Sequence, residues 1–144
     1  MWFLYSIAAS LLWGLDYALA EKLLKTVGFP TVLAVEFFAG FITMVGFSFA
    51  SGTYKLEIPK LFASLETGIV SIAMIAVFVV AHVFIVISIG SRNATLASLI
   101  EMSYPVFVAG FSWIMFKEGN LTFGTAAGGV LIFAGVALIY FLNR

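Results

Sequence analysis

The chain has no cysteine, one histidine, and charged side chains at only 10% of its 144 positions. Without cysteine there is no disulfide framework, no thiolate nucleophile and no thiolate-held metal. A single histidine leaves a metal centre short of the three or four convergent donors it needs, so neither metal nor cofactor is expected. Formal net charge is zero, and no block of basic residues marks a nucleic-acid surface or a polybasic lipid anchor. Residues Met1 to Leu15 contain no Lys or Arg; the cationic start of a cleavable leader is missing, and this segment is expected to be retained. Nucleophile-elbow, P-loop, zincin and dinucleotide-binding patterns are all absent.

What the chain has in abundance is oil. Hydrophobic residues make up 63% of it and its mean hydropathy is +1.17, against roughly half apolar and a quarter charged in soluble domains. These residues fall in five runs, Trp2–Ala20, Pro30–Ala50, Thr67–Gly90, Ala94–Phe116 and Leu121–Leu142. Each is near the roughly 20 residues a helix needs to cross a hydrocarbon core of about 30 Å. Open strands would leave backbone groups unpaired in lipid, and the runs are too long for barrel strands. The expected fold is therefore all-α: one polytopic transmembrane bundle of five helices over residues 1–144, multi-pass in a cell membrane, the plasma or inner membrane of a prokaryote.

The connections hold nearly every charge: Glu21, Lys22 and Lys25, then Lys55, Glu57, Lys60 and Glu66, then Arg92, then Lys117 and Glu118. Gly28-Phe29-Pro30 and Ser51-Gly52 read as helix punctuation, and Lys117-Glu118-Gly119-Asn120 as a tight turn. Trp2, Tyr5, Tyr54 and Tyr140 sit where interfacial aromatics belong. The triplets at Asn93-Ala94-Thr95 and Asn120-Leu121-Thr122 match a glycosylation pattern, yet lie in short loops on opposite faces and are read as chance.

Orientation follows the Lys/Arg bias of the loops. Five spans put Lys55, Lys60 and Lys117 on the N-terminal face and Lys22, Lys25, Arg92 and Arg144 on the other. Three against four, with the N-terminal amine added to the smaller side, is close to a tie. Two readings stay open: a single topology set by finer details, or insertion in both directions with head-to-tail pairing.

Four ionisable side chains fall inside the spans: Asp16, Glu36, His82 and Glu101. A charged, unpaired carboxylate near a helix centre costs on the order of 2.5–3.5 kcal/mol, so such residues point to function. No Lys or Arg occurs within any span to neutralise them. Each lies about four or five residues from its span's midpoint, toward the face of the first and third loops, which makes one polar layer roughly 6–8 Å off the midplane. Tyr17, Ser98, Ser103 and Tyr104 are its polar neighbours. Either the layer is a hydrated site for solute or protons, or each residue merely bonds a neighbouring helix; for His82 alone, interhelical hydrogen bonding is the ordinary role. Trp13, Asp16 and Tyr17 share one helix face, where two π-faces and a carboxylate suit an organic cation, unless the rings simply pack.

Gly124 and Gly128, extended by Gly135, let the last helix approach another closely, within the chain or across a dimer. Pro105 frees one backbone carbonyl beside the polar layer and kinks the fourth span, with or without a cavity.

The stretch S-I-G-S-R-N-A-T-L-A-S-L-I-E-M-S-Y-P-V-F-V-A, then F-K-E-G, then G-T-A-A-G-G-V-L-I-F-A-G-V-A-L resembles the EamA repeat of the drug/metabolite transporter superfamily. The opening S-L-L-W-G-L-D-Y-A is similar to that family's first helix, so the likeness covers nearly the whole chain. Most such transporters resemble two repeats fused in opposite orientation around a central site, and this chain has the length of one. The resemblance thus implies a second copy, an antiparallel homodimer with its site at the repeat interface, the two polar layers lying roughly 12–16 Å apart along the normal. One departure concerns A-V-E-F-F-A-G: where many members show an arginine, Glu36 stands here, and a carboxylate attracts cations and repels anions.

The function expected is a secondary transporter exchanging protons for a small cationic or neutral organic solute. Asp16 or Glu101 serves as the proton-coupled carboxylate, and Glu36, His82, Trp13, Tyr17 and Tyr104 as the surrounding site. The alternative is a non-transporting membrane subunit or orphan half that completes another membrane protein. An intramembrane enzyme finds little chemistry to assemble here.

Overall fold

A computed structural model of the chain describes residues 1–117 and 122–143. Glu118, Gly119, Asn120, Leu121 and Arg144 lie outside them, and with them most of the expected 117–120 turn, most of the second glycosylation-like triplet and the first residue of the expected last span. Every element among the described residues is helical. They are α1 (Trp2–Leu24), α2 (Phe29–Ser51), α3 (Tyr54–Glu57), a 3₁₀ turn (Ile58–Phe62), α4 (Leu65–Ser91), α5 (Ala94–Glu101), α6 (Tyr104–Phe111), a π turn (Ser112–Phe116) and α7 (Phe123–Leu142). Five helices are long and apolar enough to span a bilayer, with α5, α6 and the π turn together forming the fourth. The chain is an integral multi-pass membrane protein.

The expected boundaries shift for local reasons. Helix α1 continues through Glu21 and Lys22 to Leu24, because a charged turn at the membrane surface costs a helix nothing. Gly28 then provides an extended N-cap, with Pro30 in the first turn of α2, where its missing N–H would have had no partner. At the other end of α2, Gly52 adopts the left-handed conformation, φ +69°, and stops the helix. Ser64 and Thr67 exchange side-chain and backbone hydrogen bonds in a capping box that starts α4 two residues before its expected first residue. The 51–65 connection is folded rather than loose: Ser71 in α4 donates from Oγ to the Leu61 carbonyl, 3.1 Å, and pins the 3₁₀ turn to the bundle.

The fourth span does break near Pro105, a few residues earlier than the proline itself. Helix α5 ends at Glu101, Met102 and Ser103 form the turn, and α6 starts at Tyr104 with Pro105 in its first turn. Proline has no N–H for the carbonyl four residues back, and that carbonyl belongs to Glu101. The break therefore falls on an acidic residue of the polar layer.

Helices α1, α2 and α4 pack against one another, α5 joins α1 and α4, and α7 leans on α5. The buried apolar residues are mostly small or branched: Ala20, Val32, Leu33, Val86, Ile89, Ala94 and Ala97. Ile89, Ala94 and Ala97 form the centre of this packing, with Tyr17, Leu24 and Ile85 against it. In lipid no hydrophobic force separates helix from solvent, so close approach through small side chains supplies the association. Most large apolar residues point outward, toward hydrocarbon.

On α7 the glycines divide. A Cβ placed on Gly128 or Gly135 would meet nothing within 4 Å, and one on Gly124 would meet only the Thr122 hydroxyl. It is Gly129 that packs inside the chain, where a Cβ would stand 3.2 Å from Val106 of α6. Gly129→Leu is expected to destabilise the fold by about 1–3 kcal/mol through overpacking. Gly128→Leu should leave the monomer within about 0.5 kcal/mol, as read by SDS titration of the purified protein in mixed micelles.

Candidate functional site

Helices α1, α2 and α4 line a cavity of about 1030 Å³ that is open on one side. It runs from Ala9 to Asp16 on α1, from Glu36 to Val45 on α2 and from Met74 to His82 on α4. Trp13, Gly40 and Phe78 are the midpoints of those three helices, so the cavity straddles the middle of the bundle. Asp16, Glu36 and His82 all lie at its one end, toward the face of the first and third loops. Its remaining lining is apolar, including Phe37, Phe41, Met44 and Met74, and among the described residues no Lys or Arg contributes.

The alternation of direction along the chain explains this convergence. Asp16 is three residues beyond the middle of α1, Glu36 four before the middle of α2, and His82 four beyond the middle of α4. In antiparallel neighbours these offsets coincide in depth, about 4.5–6 Å from the centre. That is shallower than the 6–8 Å expected, because α1 extends to Leu24. Asp16, Glu36 and His82 therefore face one another across the same end of the cavity.

Aromatic rings surround the imidazole. His82 lies 4.4 Å from Phe78, 5.5 Å from Phe37 and 5.8 Å from Trp13, centroid to centroid. Each of the three lining helices thus contributes one ring. The interhelical hydrogen bond expected of a lone intramembrane histidine does not form: its nitrogens have no such partner among the described residues.

Glu101 is set apart from this group. It does not line the cavity, and its Oε2 accepts a 2.7 Å hydrogen bond from the Tyr17 hydroxyl. Tyr17 in turn packs edge-on against Trp13 at 5.7 Å. The face shared by Trp13, Asp16 and Tyr17 therefore serves two neighbours, Trp13 and Asp16 turning to the cavity and Tyr17 to α5. Tyr104 is 60% exposed beyond the break and does not reach the cavity lining. Ser98 spends its hydroxyl on the Thr95 carbonyl of its own helix.

Other contributors carry little sequence signal. Phe37 and Phe78 read as ordinary span residues; the clue is spacing, since Phe78 precedes His82 by one helical turn and Phe37 adjoins Glu36. Glu21 reads as a loop charge, yet its Oε2 accepts from the Ala94 amide at 2.7 Å, a carboxylate on the positive end of α5. Asn93, which belongs to one of the glycosylation-like triplets, is the N-cap there, its Oδ1 accepting from Leu96 N at 2.8 Å. On the same face Arg92 donates to the Asn143 carbonyl at 2.7 Å.

Compared with known proteins, residues 1–141 match the family model described as the EamA-like transporter family. No curated protein and no solved structure matches the chain.

Proposed function

This chain belongs to the EamA-like transporter family, whose model spans nearly all of it, and from that premise we propose that it is a secondary transporter exchanging protons for a small organic cation. The observation that carries the reading is the cavity, which has two carboxylates, a wall rich in aromatic rings and no Lys or Arg. A carboxylate in a low-dielectric cavity is costly unless something compensates it. A proton does so in one state and a cationic solute in the other, which is the chemistry of exchange. Asp16, on the cavity wall, is the primary coupled group, Glu36 shares the charge, and Glu101 with Tyr17 holds α5 against α1. A neutral solute carrying amine-like donors fits the same lining less strongly.

The working unit proposed is an antiparallel homodimer. Among the described residues only α1, α2 and α4 line the cavity, and a second, inverted copy supplies the facing wall, as in inverted-repeat transporters. The two acidic clusters then lie about 9–12 Å apart along the membrane normal, close enough for one solute to be passed between them as the pair rocks.

Purified protein reconstituted in proteoliposomes with an entrapped pH dye tests this directly. Addition of an organic cation such as tetraphenylphosphonium is expected to release protons across the membrane, saturably, and a permeant anion control is not. No solute-dependent proton movement, together with a tightly co-purifying second chain, would point instead to a half that completes another membrane protein.

A further inference from the structure

The ring cluster around His82 is the kind of surface that holds a cation. Cation–π attraction acts within about 6 Å of a ring centroid, and the imidazole meets Phe78, Phe37 and Trp13 at 4.4, 5.5 and 5.8 Å. Those rings come from α4, α2 and α1, the three helices that wall the cavity. The acidic groups facing it from the same helices are Asp16 on α1 and Glu36 on α2. On α5, which also packs against α4, Glu101 is engaged by Tyr17. The 3₁₀ turn touches α4 as well and carries Lys60, but it does so beside Ser71, about three helical turns from His82. Among the described residues no Lys or Arg lines the cavity. Histidine is the one side chain that ordinarily gains and loses its charge near neutral pH.

We propose that His82 is an internal cation of the transport cycle: its protonated ring occupies the aromatic cage and faces Asp16 and Glu36 until an organic cation enters and displaces that proton. This rests on the exchange reading above and assigns the released proton to a particular nitrogen-bearing ring rather than to a carboxylate alone. The balance is simple. The imidazolium loses one proton to water as one monovalent cation arrives, so the charge within the cavity is unchanged. Both cations use the same rings and the same carboxylates, and they repel each other. For unit charges about 6 Å apart at an effective dielectric constant of about 20, that repulsion amounts to about a hundredfold in affinity. Binding linkage is reciprocal, so the cation disfavours the ring proton by the same factor that the ring proton disfavours the cation.

His82 is the only histidine in the chain, so its ring C–H signals in a two-dimensional carbon–proton NMR spectrum of the native protein in nanodiscs report this site alone. Titrated from pH 5 to pH 8.5 with and without saturating tetraphenylphosphonium, the midpoint is expected to fall by one to two pH units when the cation is bound. Equilibrium dialysis run in parallel should show affinity for tetraphenylphosphonium falling ten- to a hundredfold from pH 8 to pH 5.5, and His82→Gln should flatten that step above pH 6. Bound cation with an unmoved imidazole midpoint overturns the assignment of His82 and leaves the carboxylate exchange standing. No cation bound at any pH overturns both. His82→Phe, which keeps a ring in the cage, separates loss of packing from loss of the proton: it should bind the cation with the flattened pH profile of the Gln variant.

Discussion

Asp16→Asn is expected to reduce cation-driven proton release in proteoliposomes by at least about a hundredfold while leaving the protein folded. The reason is the position of the residue. It lies on the cavity wall with Glu36, and a unit charge about 4–6 Å from a cationic solute contributes on the order of 3–4 kcal/mol at an effective dielectric constant of about 20. Asparagine keeps the shape and loses that attraction, and on the proposed exchange it also removes a carboxylate that would hold a proton or the solute. Glu36→Gln should cost less, about tenfold, because Asp16 remains. Glu101→Gln should cost least, since an amide oxygen still accepts from the Tyr17 hydroxyl. The ordering is as informative as the size. Loss concentrated in Glu101→Gln, with Asp16→Asn active, would move the coupling carboxylate to the break in the fourth span, and full activity in both would remove carboxylate-coupled exchange altogether.

Charge redistribution in the loops is expected to have an all-or-none effect on the same assay. Lys55→Gln with Lys60→Gln leaves one basic side chain on the N-terminal face against four on the other, whereas Lys22→Gln with Lys25→Gln leaves three against two. Orientation follows such differences, so each double variant should insert predominantly one way, and the two in opposite ways. Alone, each is expected to lose transport because it cannot form an inverted pair; expressed together, they should regain it. The chain has no cysteine, so single cysteines placed at either terminus report orientation against a clean background. In the native protein both termini should be labelled from both sides of the membrane. Exclusive labelling from one side, with transport intact, would exclude a self-paired inverted dimer.

How much of the molecule is legible in its sequence depends on the kind of signal. The five spans and their class follow from run length and hydropathy, which lipid enforces without exception, and the family follows from the small-residue and glycine pattern of the last two spans. Boundaries are less legible because caps decide them: the Ser64–Thr67 box and the continuation of α1 through Glu21 depend on a few local hydrogen bonds. Depth along each span puts Asp16, Glu36, His82 and Glu101 in one layer, and the first three line one cavity. What depth cannot give is azimuth. Rotation about the helix axis sends Glu101 to Tyr17 rather than into the cavity, and it turns Gly129, not Gly128, toward Val106. A membrane helix is apolar on all sides, so its sequence carries little amphipathic signal to fix that rotation. The ring cage is hidden for the same reason, since phenylalanine is common throughout these spans.

Three cross-helix hydrogen bonds gather toward a single membrane face: Tyr17 to Glu101, the Ala94 amide to Glu21, and Arg92 to Asn143. They tie α1 to α5 and the α4–α5 connection to the end of α7, while Ala9, Met44 and Met74 line the other end of the cavity. In the proposed head-to-tail pair the hydrogen-bonded end of each copy would lie beside the apolar cavity end of the other. In that proposed arrangement a single rocking motion would expose one mouth and shut its mirror.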